Sequence, residues 1–204
     1  MRIVLIRHGE TEWNRIRRFQ GRSDIPLNER GKEQVRALAE VLKNEHVAAL
    51  YTSPLTRAVE TALIIGTYHP AAPLLLEEGF VEMDLGEFDG MDAAHWAEHH
   101  AEFMKQWIKS PGVLQMPGGE SLAQVQARAV ASLKRIIQAH GAGESLLVCS
   151  HNFVILTLLC HAFHRPLDEF RTLKQDTAAF STLTVSADGT LAVETLNERS
   201  HLRA

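Results

Sequence analysis

Two cysteines in 204 residues are too few for a disulfide framework. Cys149 and Cys160 are also spaced too widely for a zinc or redox pair, so both read as buried, inert thiols. Long apolar runs are missing too. Ile3-Val4-Leu5-Ile6 is shorter than a signal-peptide core, and no stretch can span a bilayer, so a reduced, cytoplasmic protein is expected. Charge of one sign is not in excess: 21 Lys and Arg against 25 Asp and Glu leave a net −4. That balance gives no footprint for nucleic acid or a membrane, and neither is expected as a partner. An anionic substrate therefore needs a local basic pocket that works against the global charge. Gly118-Gly119-Glu120-Ser121 lacks the Gly-Lys-Ser/Thr ending of a P-loop and reads as a turn and helix cap. Internal repeats are absent.

What is present is a soluble globular composition, 45% hydrophobic and 23% charged, long enough for one domain over residues 1–204. Residues 2–7 form a short apolar run that stops at Arg7 and His8, the pattern of a buried strand. Helical periodicity covers Glu29 to Lys43, with Val35, Leu38, Ala39 and Leu42 on one face. Val47 to Thr52 reads as a second strand, and Ser53-Pro54 as the start of a helix running to Ile65. Ser121 to Ala139 is helical, Leu146 to Cys149 a buried strand, and Phe153 to Phe163 an apolar helix. Ser181–Val185 and Leu191–Leu196, joined by Asp188-Gly189, read as a hairpin whose edge is compatible with a monomer or a homodimer. Glycines and prolines break residues 77–120 into short pieces, an excursion lying over one edge of the sheet. Strands alternating with helices predict an α/β fold: a three-layer αβα sandwich around a mostly parallel central sheet.

Ligands of such sheets bind beyond the carboxyl ends of the strands. His8 follows the first strand and His151 follows the strand through Cys149. Ser53, Pro54 and Arg57 follow the second. Arg7 and Arg57 offer guanidinium forks suited to phosphate, and Asn14 and Gln20 can add neutral donors. The helix after His151 points its N-terminus at the same rim. A neutral imidazole there can attack phosphorus and carry the phosphoryl group, while one carboxyl group gives and then takes a proton. Such a scheme requires no metal. The acid is open among Glu77, Glu78, Glu82, Asp84 and Glu87.

His95-Trp96-Ala97-Glu98-His99 fits an H-x-x-E-H zinc pattern, but no third ligand follows on a partner helix, and the segment reads as a polar helix. Trp96, Phe103 and Trp107 are spaced to share a face, packing on the sheet edge or lining a pocket mouth.

The string Leu5-Ile6-Arg7-His8-Gly9-Glu10-Thr11 with Trp13-Asn14 resembles the signature of the histidine phosphatase (phosphoglycerate mutase-like) superfamily. The resemblance continues in order through Gln20-Gly21-Arg22-Ser23, Tyr51-Thr52-Ser53-Pro54-Leu55-Thr56-Arg57-Ala58 and Leu85-Gly86-Glu87-Phe88-Asp89-Gly90. Pro117-Gly118-Gly119-Glu120-Ser121 and Val148-Cys149-Ser150-His151 complete it. It implies a phosphoglycerate mutase-like fold with a small helical insertion over the active site. It also implies His8 as nucleophile, Glu82 as general acid and then base, and Arg7, Arg57 and His151 as phosphoryl ligands. Asn14, Gln20 and Gly21 assist in binding. The implied substrate is a small phosphorylated metabolite, with no cofactor and no metal. Two positions depart from the pattern. Asn152 stands where glycine is usual after the second histidine, and is expected to crowd or contact the leaving group. Phe88-Asp89 replaces a common Trp-Glu pair. A phosphomonoesterase is the leading expectation, a phosphoglycerate-type mutase the second, and a silent phospholigand- or partner-binding relative the third.

Overall fold

A computed structural model describes residues 1–202. The elements follow the chain as β1 (Arg2–Arg7), α1 (Glu12–Arg15), α2 (Glu29–Leu42), β2 (Val47–Thr52), α3 (Thr56–Gly66) and β3 (Leu74–Leu76). Then come α4 (Ala93–His99), α5 (Ala101–Lys109), α6 (Leu122–Ala139), β4 (Ser145–Ser150), α7 (Asn152–Ala162), β5 (Phe180–Val185) and β6 (Leu191–Glu198). The strands form one sheet of order β3-β2-β4-β1-β5-β6. Its first four strands pair in parallel, and the β5–β6 hairpin adds two antiparallel ones. The expected mostly parallel sheet is therefore observed.

Layering follows from side-chain alternation along the strands. On β1, Ile3 and Leu5 face one core with α6 and α7, whereas Val4 and Ile6 face another with α2 and α3. Burying each such aliphatic side chain contributes about 1.5–3 kcal/mol. The apolar stripe of α2 is buried as its periodicity requires, and Asn28 caps it by accepting the Gly31 N–H at 2.7 Å. Ser121 caps α6 in a reciprocal capping box with Gln124, the cap that its sequence suggested. Helix α7 is buried almost throughout, which explains its uniformly apolar sequence.

Three differences stand out. Strand β3 was not expected, because three exposed leucines carry no alternation to read. Helix α3 begins at Thr56, with Leu55 as its N-cap, rather than at Ser53-Pro54. The excursion over residues 77–120 does not flank the sheet edge. Phe80, Met83, Leu85, Phe88, Trp107 and Met116 join the core on the α6–α7 face. Trp96 also lies on a separate helix from Phe103 and Trp107. Across the break, the Trp96 and Phe103 rings sit 6.5 Å apart edge to face.

The start of α2 supports the loop that follows His8. Asn28 donates from its backbone to Glu10 O and from its side chain to Glu10 Oε1. A Cβ on Gly31 would stand 2.1 Å from Glu10 O, whereas one on Gly66 would stand 3.7 Å from a flexible leucine tip. Gly31→Ala is expected to lower stability by about 1–3 kcal/mol through overpacking, with Gly66→Ala within about 0.5 kcal/mol of the parent. Urea unfolding of the two variants checks this, and equal midpoints would contradict it.

Candidate active site

Residues at the carboxyl ends of β1, β2 and β4 converge. His8 is 3% exposed, while Arg57 and His151 are fully buried. The His8 and His151 rings stand 5.2 Å apart between centroids. His8 Nδ1 lies 2.7 Å from Gly9 O. A carbonyl only accepts, so Nδ1 carries the proton and Nε2 keeps its lone pair. Burial, then the charges of Arg57 and Arg7, hold His8 well below the ordinary imidazole value. The ring stays neutral, which is the state able to attack phosphorus.

His151 is oriented by Ser53, whose Oγ lies 2.7 Å from Nε2. Ser53 Oγ already accepts the Leu55 N–H at 3.3 Å. Its own proton finds its acceptor in Nε2, because a buried hydroxyl rarely leaves its proton unpaired. Nδ1 of the neutral ring then bears the remaining proton. Nδ1 is buried and has no partner among the described residues, as is true of Nε of both Arg7 and Arg57. Burial, then Arg57 and His8, hold His151 well below the ordinary value. Three donors near one imidazole, unpaired within the protein, suit a tetrahedral oxyanion.

Neutral oxygens hold both guanidinium groups. Arg57 donates to Ser23 O at 2.7 Å and Gly21 O at 2.8 Å. Arg7 donates to Gln175 O at 2.7 Å and Asn152 Oδ1 at 3.3 Å. Gly21 thus acts through its carbonyl, at φ +43°, where a side chain would be strained. Asp89 secures that loop by accepting from Arg22 N, Ser23 N and Ser23 Oγ. The side chain of Asn152, expected to crowd or contact the leaving group, bonds to Arg7 through Oδ1. Gln20 is buried and accepts from Thr11 Oγ1 at 2.8 Å. Asn14 is taken up in the capping box of α1 with Thr11, one step back from the histidines.

Glu82 separates from its acidic neighbours by burial. It is 6% exposed, and it accepts from Met83 N at 2.9 Å and Phe153 N at 3.3 Å. Burial raises its carboxyl value, against the Met83 N–H and the charge of Arg57. Glu77 is engaged by Arg135 and Ser132, and Asp84 accepts from Gly86 N. Sequence reasoning placed Ser53 beside the site without assigning it a task, and it missed Gln175, which no motif marks. The H-x-x-E-H histidines stack on each other 4.0 Å apart, and no group of three metal-ligating side chains occurs among the described residues. No helix among them is long and apolar enough to cross a membrane.

The model of the histidine phosphatase superfamily, branch 1, matches residues 3–199. The chain belongs to that superfamily. Phosphoserine phosphatase 1 of Hydrogenobacter thermophilus is 33% identical over 183 residues, covering 90% of this chain and 86% of the relative. A 2,3-bisphosphoglycerate-dependent phosphoglycerate mutase of Gloeobacter violaceus is 30% identical over 194 residues, covering 93% and 88%. Matched mycobacterial relatives are longer, and the chain spans 55% of them. Among solved structures, Bacillus stearothermophilus YhfR superposes with a TM-score of 0.93 at 30% identity, covering 99% of each chain. The enzyme is a phosphatase of this superfamily, and its fold is phosphoglycerate mutase-like.

Depressed His8 and His151 values carry a consequence for stability. The unfolded chain takes up protons at both imidazoles near the ordinary value of 6.5, and the folded chain refuses them. Their contribution is therefore present above that value and is lost as pH falls below it. Denaturation between pH 7.5 and 5 is expected to show declining stability, with a shallower slope in a His8→Gln, His151→Gln double variant. Equal slopes would contradict the assignment.

Proposed function

We propose that the chain hydrolyses small phosphomonoesters without a metal, through a phosphohistidine on His8. The observation that carries this reading is the Nδ1–H bond to Gly9 O, which leaves a buried, neutral Nε2 beside two arginines. In the first step the Nε2 lone pair forms a bond to phosphorus as the ester P–O bond breaks. The Glu82 carboxyl gives its proton to the leaving oxygen. In the second step water attacks phosphorus and Glu82 takes back a proton. The P–N bond breaks, and its electron pair returns to Nε2. Arg7, Arg57 and the His151 Nδ1–H stabilise the equatorial oxygens, with Gln20, Asn14 and Gly21 shaping the loop around them.

Residues 1–204 act in this reading as one histidine phosphatase domain with residues 77–120 as its cap. The relative named as a phosphoserine phosphatase supports a small phosphorylated metabolite as substrate. A mutase reading draws support from the relative that bears that name. It requires a phosphohistidine kept from water and phosphate exchange between glycerate positions with little net release.

His8→Ala is expected to abolish hydrolysis, and a chelator to leave it unchanged. Glu82→Gln should slow an alkyl phosphate by about 100- to 10,000-fold, but a 4-nitrophenyl ester much less in the first step, because that leaving group needs no proton. In the parent, kcat/KM should fall as pH rises through the raised Glu82 value, since the acid form is lost there. Steady-state and burst kinetics across pH measure both effects. Equal losses on the two esters would contradict Glu82 as the acid.

A further inference from the structure

Gly31, Gln34 and Val35 share one face of α2, and that face meets the two residues after His8. A Cβ on Gly9 would stand 2.6 Å from Gly31 O and 2.8 Å from the Val35 side chain. Gln34 Oε1 accepts the Glu10 N–H at 3.0 Å. Gly9 O and Glu10 N belong to one peptide group, and no peptide bond among the described residues is cis. The carbonyl and the N–H of that group therefore point to opposite sides. His8 Nδ1 lies on the carbonyl side at 2.7 Å, and Gln34 lies on the N–H side.

This peptide plane has two orientations of opposite consequence. With its carbonyl toward the ring, Nδ1 must donate, and Nε2 keeps the lone pair that attacks phosphorus. With its N–H toward the ring, Nδ1 must accept, and the proton of the neutral imidazole moves to Nε2. A nitrogen that carries the proton has no lone pair to offer. Rotation between the two orientations turns on the Gly9 ψ and the Glu10 φ, and glycine offers little steric resistance to it. The neighbouring peptide groups are held separately. Gly9 N donates to Thr61 Oγ1 at 3.2 Å, and Glu10 O accepts from Asn28 N at 3.0 Å. Gln34 holds the middle peptide from the side away from the ring.

We propose that Gln34 is a positioning residue: by accepting the Glu10 N–H it keeps the Gly9 carbonyl turned to His8 Nδ1, and so keeps the attacking Nε2 free of a proton. The proposal rests on His8 as the nucleophile in the reading above. Gln34 is half-buried, so water can replace it as a partner for the N–H. A role limited to satisfying that donor would then leave the His8 ring unaffected.

Three substitutions separate the two roles. Gln34→Glu presents only acceptors, Gln34→Met presents none, and Gln34→Lys presents only donors, which suits the turned peptide. Nitrogen NMR of the full chain with isotope-labelled histidine reads which ring nitrogen carries the proton, the His8 signals being those lost in His8→Ala. The parent and Gln34→Glu are expected to hold it on Nδ1. In Gln34→Met and Gln34→Lys a share moves to Nε2. There kcat/KM on 4-nitrophenyl phosphate is expected to fall by about 10- to 100-fold, the range open to one lost hydrogen bond at a buried site. Competitive inhibition by inorganic phosphate should change little, because Arg7 and Arg57 are untouched. A proton retained on Nδ1 in Gln34→Met and Gln34→Lys would overturn the positioning role and leave the phosphohistidine reading standing. Activity and phosphate binding lost to the same degree would do so too. A proton on Nε2 in the parent itself would overturn both. Should one of these two variants fail to fold, the other decides.

Discussion

Two guanidinium groups held by neutral oxygens are the constraint on which the rest of the site depends. Arg57 is fully buried and bonds to backbone carbonyls, and Arg7 bonds to one carbonyl and one amide oxygen. No carboxylate hydrogen-bonds to either among the described residues. Carboxylates such as Asp176 and Asp89 act on them only through space, and burying charge without a bonded counter-ion costs several kcal/mol, so the surroundings must hold these groups in place. Asp89 fixes the carbonyl loop over Arg57, Asn152 and Gln175 hold Arg7, and the close approach of Gly31 to Glu10 fixes the backbone after His8. The same positive field that disfavours protonation of His8 and His151 favours a phosphoryl dianion.

Glu82 complements that field. Desolvation outweighs the Met83 N–H, the charge of Arg57 and the Phe153 N–H, so the carboxyl value moves up rather than down. Burial thus pushes the histidine away from protonation and the carboxyl toward it, each by the cost of burying the charged form. Ser53 adds a finer control by donating to His151 and directing that ring's proton toward Nδ1. A serine that looked like the opening of α3 is therefore part of the site, and the helix starts three residues after it.

Much of this was legible in the sequence wherever a periodic pattern reported burial. Val47–Thr52 coincides with β2, and the stripes of α2 and α6 bury the residues their spacing marked. His8, Arg57 and His151 were found because each follows a strand end. Glu82 was not separable from four acidic neighbours without the family resemblance, because its distinction is burial, a tertiary property. For the same reason, sequence gives the position of Asn152 beside His151 but not that its amide oxygen turns toward Arg7. The exposed Leu74–Leu76 strand left no periodic trace, and the helical spacing of Trp96, Phe103 and Trp107 concealed the break between α4 and α5.

The central claim is that His8 itself carries the phosphoryl group. Rapid acid-free quenching of the enzyme during turnover, followed by peptide mass spectrometry, tests it most directly. One added phosphoryl group is expected on the peptide containing His8, acid-labile and absent from His8→Ala. Turnover with no such adduct, or with the adduct on another residue, would contradict it.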